Sequence, residues 1–165
     1  MKIFKFGGAS VKDADGVRNI LCVLKHTCFK DTFIVVSAMG KTTNALEKVV
    51  HSYFENKEQF PKKFEAVRSN HHKIIEGLFT DDKVLVSEKI DALFNEALNF
   101  LSDNAVSNYS LVYDQVVSIG ELASSTIISY YMRHEDIENT WLDARKCIKT
   151  DTYYRDANLD WEKTK

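Results

Sequence analysis

The sequence predicts an α/β fold: three α/β/α layers around an open, mainly parallel sheet. Residues 2–6 form a short strand, and residues 32–36 (TFIVV) are an apolar, mostly β-branched run typical of a strand covered on both faces. Apolar residues recur at helical spacing between them, which predicts a helix over about residues 13–28. Strand, helix and strand in this order predict a right-handed βαβ unit with a parallel pair.

The next segments are predicted to be helical. Asn44 and Glu47 have the spacing of a capping box, which predicts that a helix opens there. Its inward positions are Leu46, Val49, Val50 and Tyr53.

Beyond Pro61, two apolar stripes step by three and four residues and predict two helices of about 16–20 residues. Thr80-Asp81-Asp82 joins them, so we expect an antiparallel pair that serves as a scaffold or a lid. The stripes are Phe64, Val67, His71, Ile74 and Leu78, then Val86, Ile90, Leu93, Ala97 and Phe100.

The last part of the chain predicts one more helix and one more strand. Val116, Gly120, Ala123, Ile127 and Tyr130 mark a helix that ends at about residue 133. Trp141-Leu142 is a candidate for a third strand. Such a sheet is lopsided, so we expect the chain to end at Lys165 within a larger domain.

Composition is that of an ordinary globular domain and excludes several classes of function. The 165 residues are 44% hydrophobic and 28% charged, with a net charge of −2. This balance gives no electrostatic reason to expect nucleic acid or an anionic membrane as a partner. No apolar run approaches the roughly 20 residues of a membrane helix, and the N-terminus lacks a signal-peptide layout.

The thiols and imidazoles show no metal-ligand spacing. Cys22, Cys28 and Cys147 are odd in number, which favours reduced thiols in a cytoplasmic protein. His71 and His72 are adjacent and face different sides of a helix, so we interpret them as core or surface residues. We therefore expect no metal site built from side chains.

The sequence does not fit either of two common nucleotide-binding motifs, the P-loop and the dinucleotide-binding fingerprint. Gly40-Lys41-Thr42 copies the end of a P-loop, but the position that requires the first glycine is Val35, inside a strand. Gly7-Gly8-Ala9-Ser10 does not fit the dinucleotide fingerprint G-x-G-x-x-G.

The first candidate segment holds Lys5, Gly7, Gly8 and Ser10 at the end of the first strand. A tight turn after an edge strand explains the glycines without any ligand. An anion site explains them as well, because bare backbone N–H groups and an ammonium group attract negative charge. The stretch alone leaves both interpretations open.

The second candidate segment follows the second strand and holds Ser37, Gly40, Thr42, Thr43 and Asn44. Helix capping and ligand contact are both open for Thr43 and Asn44, and one does not exclude the other. Because the two strands are parallel, both turns lie at one sheet edge, where adjacent helix N-termini favour an anionic ligand.

The third candidate segment places Ser118, Glu121 and Ser125 on one helix face, beside Gly120. Glu121 either complements the helix dipole or accepts a hydrogen bond from a substrate ammonium group. Both explanations stay open.

Six blocks in this order and spacing resemble the amino-acid kinase family, and within it the aspartokinases. The family reads K-F-G-G-(T/S)-S-V, V-V-S-A-M, T-N-x-L, S-x-G-E-x-x-S, W-x-D-A-R and T-D or T-N. This chain has KFGGASV (5–11), VVSAM (35–39), TNAL (43–46), SIGELAS (118–124), WLDAR (141–145) and TD (150–151). Ala9 departs from the hydroxyl residue usual at its position.

The resemblance implies ATP-dependent phosphorylation of the side-chain carboxylate of L-aspartate to 4-phospho-L-aspartate, the first step of lysine, threonine and methionine biosynthesis. It implies ATP with Mg²⁺, and a homo-oligomer when the protein is full length. By similarity, Lys5 neutralises phosphate charge in catalysis. Gly7, Gly8 and Ser10 line the phosphates, and Ser37, Thr43 and Glu121 hold aspartate.

The resemblance also implies that residues 1–165 are the N-terminal, substrate-side portion of the catalytic domain, with a helical insertion at about 45–104. The nucleotide half and the regulatory domains are then absent, so we expect this portion alone to be inactive. The alternatives are another acyl-phosphate kinase such as a glutamate 5-kinase, or a non-catalytic regulatory module. The feedback effector and a fused homoserine dehydrogenase stay undecided.

Overall fold

A parallel strand pair with a helical connection starts the chain. The computed structural model describes residues 1–27, 29–81, 83–103 and 108–164. Strands β1 (Lys2–Phe6) and β2 (Thr32–Val36) pair in parallel, in register from Lys2↔Thr32 to Phe6↔Val36. A 3-10 turn (Gly8–Val11) and helix α1 (Ala14–His26) lie between them. The predicted strand–helix–strand order is confirmed, and Cys28 lies outside the described residues.

The strand pair has one packed face and one exposed face. Phe4, Phe6, Ile34 and Val36 pack against the core. On the alternate positions Ile3 is 65% exposed, Phe33 47% and Val35 39%. The expectation that β2 is covered on both faces is therefore wrong for the described residues, because the helices that contact the sheet lie on its inner side.

Helix α2 (Thr42–Glu55) begins earlier than expected. Its N-cap residue is Lys41, whose side chain makes no capping hydrogen bond. The predicted capping box of Asn44 and Glu47 is wrong, because Asn44 already lies within the first helical turn. The inward face is confirmed at Leu46, Val49 and Val50, all fully buried, and Tyr53 is half-buried.

Helices α3 (Phe60–Leu78) and α4 (Lys83–Asp103) form the predicted antiparallel pair. Pro61 lies in the first turn of α3, where its missing N–H has no cost. The rings of Phe64 in α3 and Phe94 in α4 meet edge-on, with their centroids 5.4 Å apart. Further along α3, His72 Nε2 lies 2.8 Å from Oδ1 of Asp91, which precedes Phe94 in α4. The two helices therefore run in opposite directions. Asp82, in the connection, lies outside the described residues.

The single helix expected up to about residue 133 is two helices. Helix α5 (Tyr109–Val117) and helix α6 (Ile119–His134) meet at Ser118. Helix α6 contacts β2 and helices α2, α3, α4 and α5, so it is the central helix of the domain. The residues of α6 are buried on almost every side, so its sequence lacks the amphipathic pattern that marks a surface helix.

Residues Trp141 and Leu142 do not form the predicted third strand. Side chains hold this segment on α6 in place of a backbone ladder: the Trp141 indole N–H donates to Ser125 Oγ at 3.0 Å, and Asn139 Nδ2 donates to the Ser129 carbonyl at 3.1 Å. A short helix α7 (Ala144–Cys147) and an antiparallel bridge between Thr150 and Leu159 complete the described chain. None of the described helices has both the length and the apolar composition needed to cross a membrane.

His71 is a fully buried residue between α3 and α4. Its Nδ1 lies 2.8 Å from the Val67 carbonyl oxygen, so Nδ1 carries the donated hydrogen. Nε2 has no hydrogen-bond partner among the described residues, and the ring packs 5.5 Å from the Phe94 ring. Burial lowers the pKa of His71, because the charged imidazolium is poorly solvated there.

This burial predicts a pH-dependent stability. A lowered folded-state pKa means that below about pH 6.5 the unfolded chain binds more protons, so stability falls as the pH decreases. We expect the free energy of unfolding to fall from pH 7.5 to pH 5.5, by up to about 1.4 kcal/mol per pH unit below that point. His71→Phe should reduce this fall, as measured by urea denaturation at both pH values.

The matched control is His51→Gln on the exposed side of α2. It should keep the pH dependence of the wild type. Equal pH dependence in the wild type and the His71→Phe variant would contradict the role assigned to His71.

Candidate functional site

Backbone hydrogen bonds place the two predicted turns side by side. The Ser37 N–H donates to the Phe6 carbonyl at 3.0 Å, which extends the ladder by one residue beyond β2. The Gly40 N–H donates to the Gly8 carbonyl at 2.9 Å. The ends of the two parallel strands therefore continue into turns that contact each other directly.

The two glycines of the first turn have different surroundings. A Cβ atom on Gly8 would lie 2.8 Å from the Ala38 carbonyl oxygen and 3.0 Å from that of Gly40, so a side chain there has no room. A Cβ atom on Gly7 would meet nothing within 4 Å. Gly8 thus permits the contact between the turns, and Gly7 presents open backbone.

The start of α6 packs against the second turn. A Cβ atom on Gly120 would lie 2.9 Å from Ala38 Cβ and 3.2 Å from Thr42 Cγ2. Ala38 therefore contacts both Gly8 and Gly120, and Glu121 is the next residue along the helix. The three candidate segments converge around one small buried side chain.

The two charged candidates are exposed and available. Lys5 pairs with Val35 in the ladder and lies on the exposed sheet face, two residues before Gly7. Glu121 lies in the first turn of α6. Within the described parts of the chain, neither side chain has a hydrogen-bond or ion-pair partner, so both charges are free to meet a ligand.

The hydroxyl candidates lie on the same turns. Ser10 is exposed in the 3-10 turn, where its N–H donates to the Gly7 carbonyl at 2.9 Å. Ser37 is half-buried directly after β2. Thr43 is half-buried in the first turn of α2.

The helix N-termini differ from one another. Asp13 caps α1, with its carboxylate accepting from the Gly16 N–H at 2.9 Å, so α1 does not point free donors at the first turn. The expectation that adjacent helix N-termini favour an anionic ligand is therefore wrong for α1, because the Asp13 carboxylate already caps that end. Helix α2 has no capping side chain and no acidic residue in its first turn, so its first N–H groups suit an anion.

Two of the three side chains predicted to line one face of α6 are occupied locally. Ser118 precedes the helix, and its hydroxyl donates to the Gln115 carbonyl at 3.2 Å. The Ser125 hydroxyl donates to the Leu122 carbonyl at 3.1 Å and accepts from Trp141. Within this set, Glu121 alone is left for a ligand.

The WLDAR segment has a structural role. Asp143 is buried and caps α7. Its carboxylate accepts hydrogen bonds from two nitrogens of the Arg145 guanidinium, from Nη2 at 2.8 Å and from Nε at 3.0 Å. These hydrogen bonds hold the pKa of the Asp143 carboxyl below its usual value. Trp141 fixes the segment on α6 one turn beyond Glu121.

The sequence of the chain matches the amino acid kinase family over residues 1–162. The chain belongs to the amino acid kinase family. Among its relatives is the lysine-sensitive aspartokinase 3 of Escherichia coli, 29% identical over 159 residues that cover 96% of this chain and 34% of that protein. The aspartokinase of Chlamydia muridarum is 27% identical over 160 residues, 96% of this chain and 33% of that protein.

Solved structures of family members have the same fold. The chain superimposes on E. coli aspartokinase III in complex with lysine and aspartate with a TM-score of 0.83, at 27% identity over 97% of this chain and 35% of the other. The complex of the same protein with aspartate and ADP gives 0.82 at 26% identity. This likeness confirms the predicted α/β kinase fold. The chain spans about a third of the length of these relatives.

Sequence reasoning missed the role of Ala38. The V-V-S-A-M block was a usable signal, since a small residue directly after a buried strand lets other backbone come close.

In the described part of the chain, no group of three or more His, Cys, Asp or Glu residues comes together as a metal site.

The surroundings of Gly7 and Gly8 predict that alanine is tolerated at the first position and destabilises the fold at the second. Gly8→Ala places a methyl group against two carbonyl oxygens, and overpacking of this kind costs about 1–3 kcal/mol. Gly7→Ala enters open space with a permitted backbone conformation (φ −76°, ψ 165°), so we expect a change within about 0.5 kcal/mol. Urea denaturation measures both, and equal destabilisation would refute the distinction.

Proposed function

We propose that the chain is the substrate-side portion of an aspartokinase, which transfers the γ-phosphoryl group of ATP to the side-chain carboxylate of L-aspartate. The observation that carries the proposal is the convergence of two glycine- and hydroxyl-rich turns with the start of α6. Lys5 and Glu121 belong to two of these segments, and neither has an ion-pair partner among the described residues. The aspartokinase relatives and the aspartate complexes of E. coli aspartokinase III support it.

We assign the phosphates of the nucleotide to the first turn. Gly7 presents backbone without a side chain, and Gly8 and Ser10 continue the same turn. Lys5 precedes them, and its ammonium group has no partner within the part of the chain that the structure describes. Because phosphates carry several negative charges, bare N–H groups and a cation are the complementary chemistry.

We assign aspartate to the second turn and to α6. Thr43 lies at the uncapped N-terminus of α2, which attracts a carboxylate, and the Ser37 hydroxyl lies directly after β2. Glu121 suits the α-ammonium group of the substrate. A carboxylate that is free of other partners gains most from such a cation.

The arrangement favours phosphoryl transfer by positioning and charge. Both reactants are anionic, so their repulsion opposes the approach of the aspartate carboxylate to the γ-phosphorus. Lys5 and the backbone donors reduce that repulsion and stabilise the charge that is transferred. Mg²⁺ would come with the nucleotide and would neutralise part of its phosphate charge, since no group of three or more His, Cys, Asp or Glu residues comes together in the described part of the chain.

The proposal includes the position of this chain within the enzyme. The relatives are about three times longer, and we assign the rest of the nucleotide site to that additional length. Residues 1–165 alone are then inactive. We assign the full enzyme to the first step of lysine, threonine and methionine biosynthesis, and we expect it in the cytoplasm.

Replacing Lys5 by methionine tests the catalytic assignment. Methionine keeps the bulk and removes the charge, so the transition state loses its cation. In the full-length enzyme we expect kcat to fall by about a hundredfold or more, with KM for aspartate changed much less. A coupled assay for aspartyl phosphate measures both constants.

Lys30→Met, at the other end of the strand pair, is the matched control and should leave kcat unchanged. An unchanged rate for Lys5→Met would refute the role of Lys5. Turnover on glutamate in preference to aspartate would identify a glutamate 5-kinase, and no turnover on either would favour a non-catalytic module.

Replacing Glu121 by glutamine separates its two interpretations. If the carboxylate binds the substrate ammonium group, KM for aspartate should rise about tenfold or more, because a charged hydrogen bond is lost. If Glu121 only complements the helix dipole, stability changes by a few tenths of a kcal/mol and KM stays the same. Glu138→Gln, on the exposed segment after α6, is the control.

A further inference from the structure

A cleft of about 420 Å³ lies between α2 and α3, beside the second turn. Its volume is in the range of small-molecule sites. Met39 and Val67, both buried, form an apolar floor, and the small side chains of Ala45 and Ala66 leave the space open. The cleft can therefore hold the apolar body of a small molecule.

Four lysines line this cleft: Lys12, Lys41, Lys48 and Lys63. None of the described residues that line it is acidic, although the whole chain has a net charge of −2. Lys12 lies 3.9 Å from Asp13 in an exposed pair, which is a weak interaction. The other three have no ion-pair partner within the described residues.

The fold directs these lysines to one place. Lys41 and Lys48 are seven residues apart, so they lie on the same face of α2, with Ala45 between them. Gly40 adopts a left-handed conformation (φ +56°) and brings the turn against Lys12, where a Cβ atom on Gly40 would lie 3.3 Å from Lys12 Cβ. Lys63 closes the cleft from α3.

We propose that this lysine cleft binds a small organic phosphate. Clustered like charges repel each other, and a multiply charged anion removes that repulsion. Lysine is a common point-charge ligand of phosphate, and the apolar floor suits the organic part of the molecule. The cleft shares Gly40, Lys41 and Thr42 with the second turn, but its lining includes none of the side chains assigned to catalysis or aspartate, such as Lys5, Thr43 and Glu121. It therefore adjoins the proposed catalytic site and is lined by a different set of side chains.

Phenyl phosphate is a suitable probe, and benzyl alcohol is its uncharged counterpart. Isothermal titration calorimetry on the full protein should show saturable binding of phenyl phosphate and none of benzyl alcohol. The double variant Lys48→Gln/Lys63→Gln should weaken binding by about tenfold or more. Lys57→Gln/Lys62→Gln, on exposed positions outside the cleft, should bind like the wild type.

A second variant separates the cleft from general charge effects. Ala66→Leu fills the space and keeps every lysine, so it too should weaken binding. Lys5→Met should bind phenyl phosphate like the wild type, whether or not the protein is an aspartokinase. The proposal is overturned by absence of binding, by equal binding to the double variant, or by loss of binding in Lys5→Met.

Discussion

The close approach of Gly8, Ala38 and Gly120 is the contact on which the site depends. It brings together three segments that are far apart in the sequence, and only residues with little or no side chain allow that distance. The parallel pairing of β1 and β2 positions two of these segments at the same sheet edge. The third segment is positioned by α6, which is held by contacts with β2 and four other helices. A side chain at Gly8 or Gly120 therefore affects the site through the backbone.

Two charged side chains belong to the segments that meet at this contact. Lys5 lies on a paired strand and Glu121 on the central helix, and within the described residues neither has an ion-pair partner. The N-terminus of α2 lacks a cap, whereas Asp13 caps α1. An uncapped helix end and exposed charges of both signs are the chemistry that an amino acid and a phosphate require.

The sequence predicted the elements whose pattern is local. The strand–helix–strand start, the inward stripe of α2 and the antiparallel α3–α4 pair follow from the hydrophobic pattern and from the short connection between α3 and α4, and all are present. Features set by tertiary contact were not predicted. Trp141-Leu142 has the composition of a strand, but side chains hold it on α6. The break at Ser118 is hidden because α6 is buried on nearly all sides. The difference between Gly7 and Gly8, and the lysine cleft between α2 and α3, arise only when separate elements meet.

The most direct test of the account is a crystal structure of the full-length protein with aspartate and a non-hydrolysable ATP analogue. We expect the Lys5 ammonium group about 2.7–3.2 Å from a phosphate oxygen, with the phosphates over Gly7 and the substrate ammonium group facing Glu121. A nucleotide and an amino acid bound away from the junction of Gly8, Ala38 and Gly120 would contradict it.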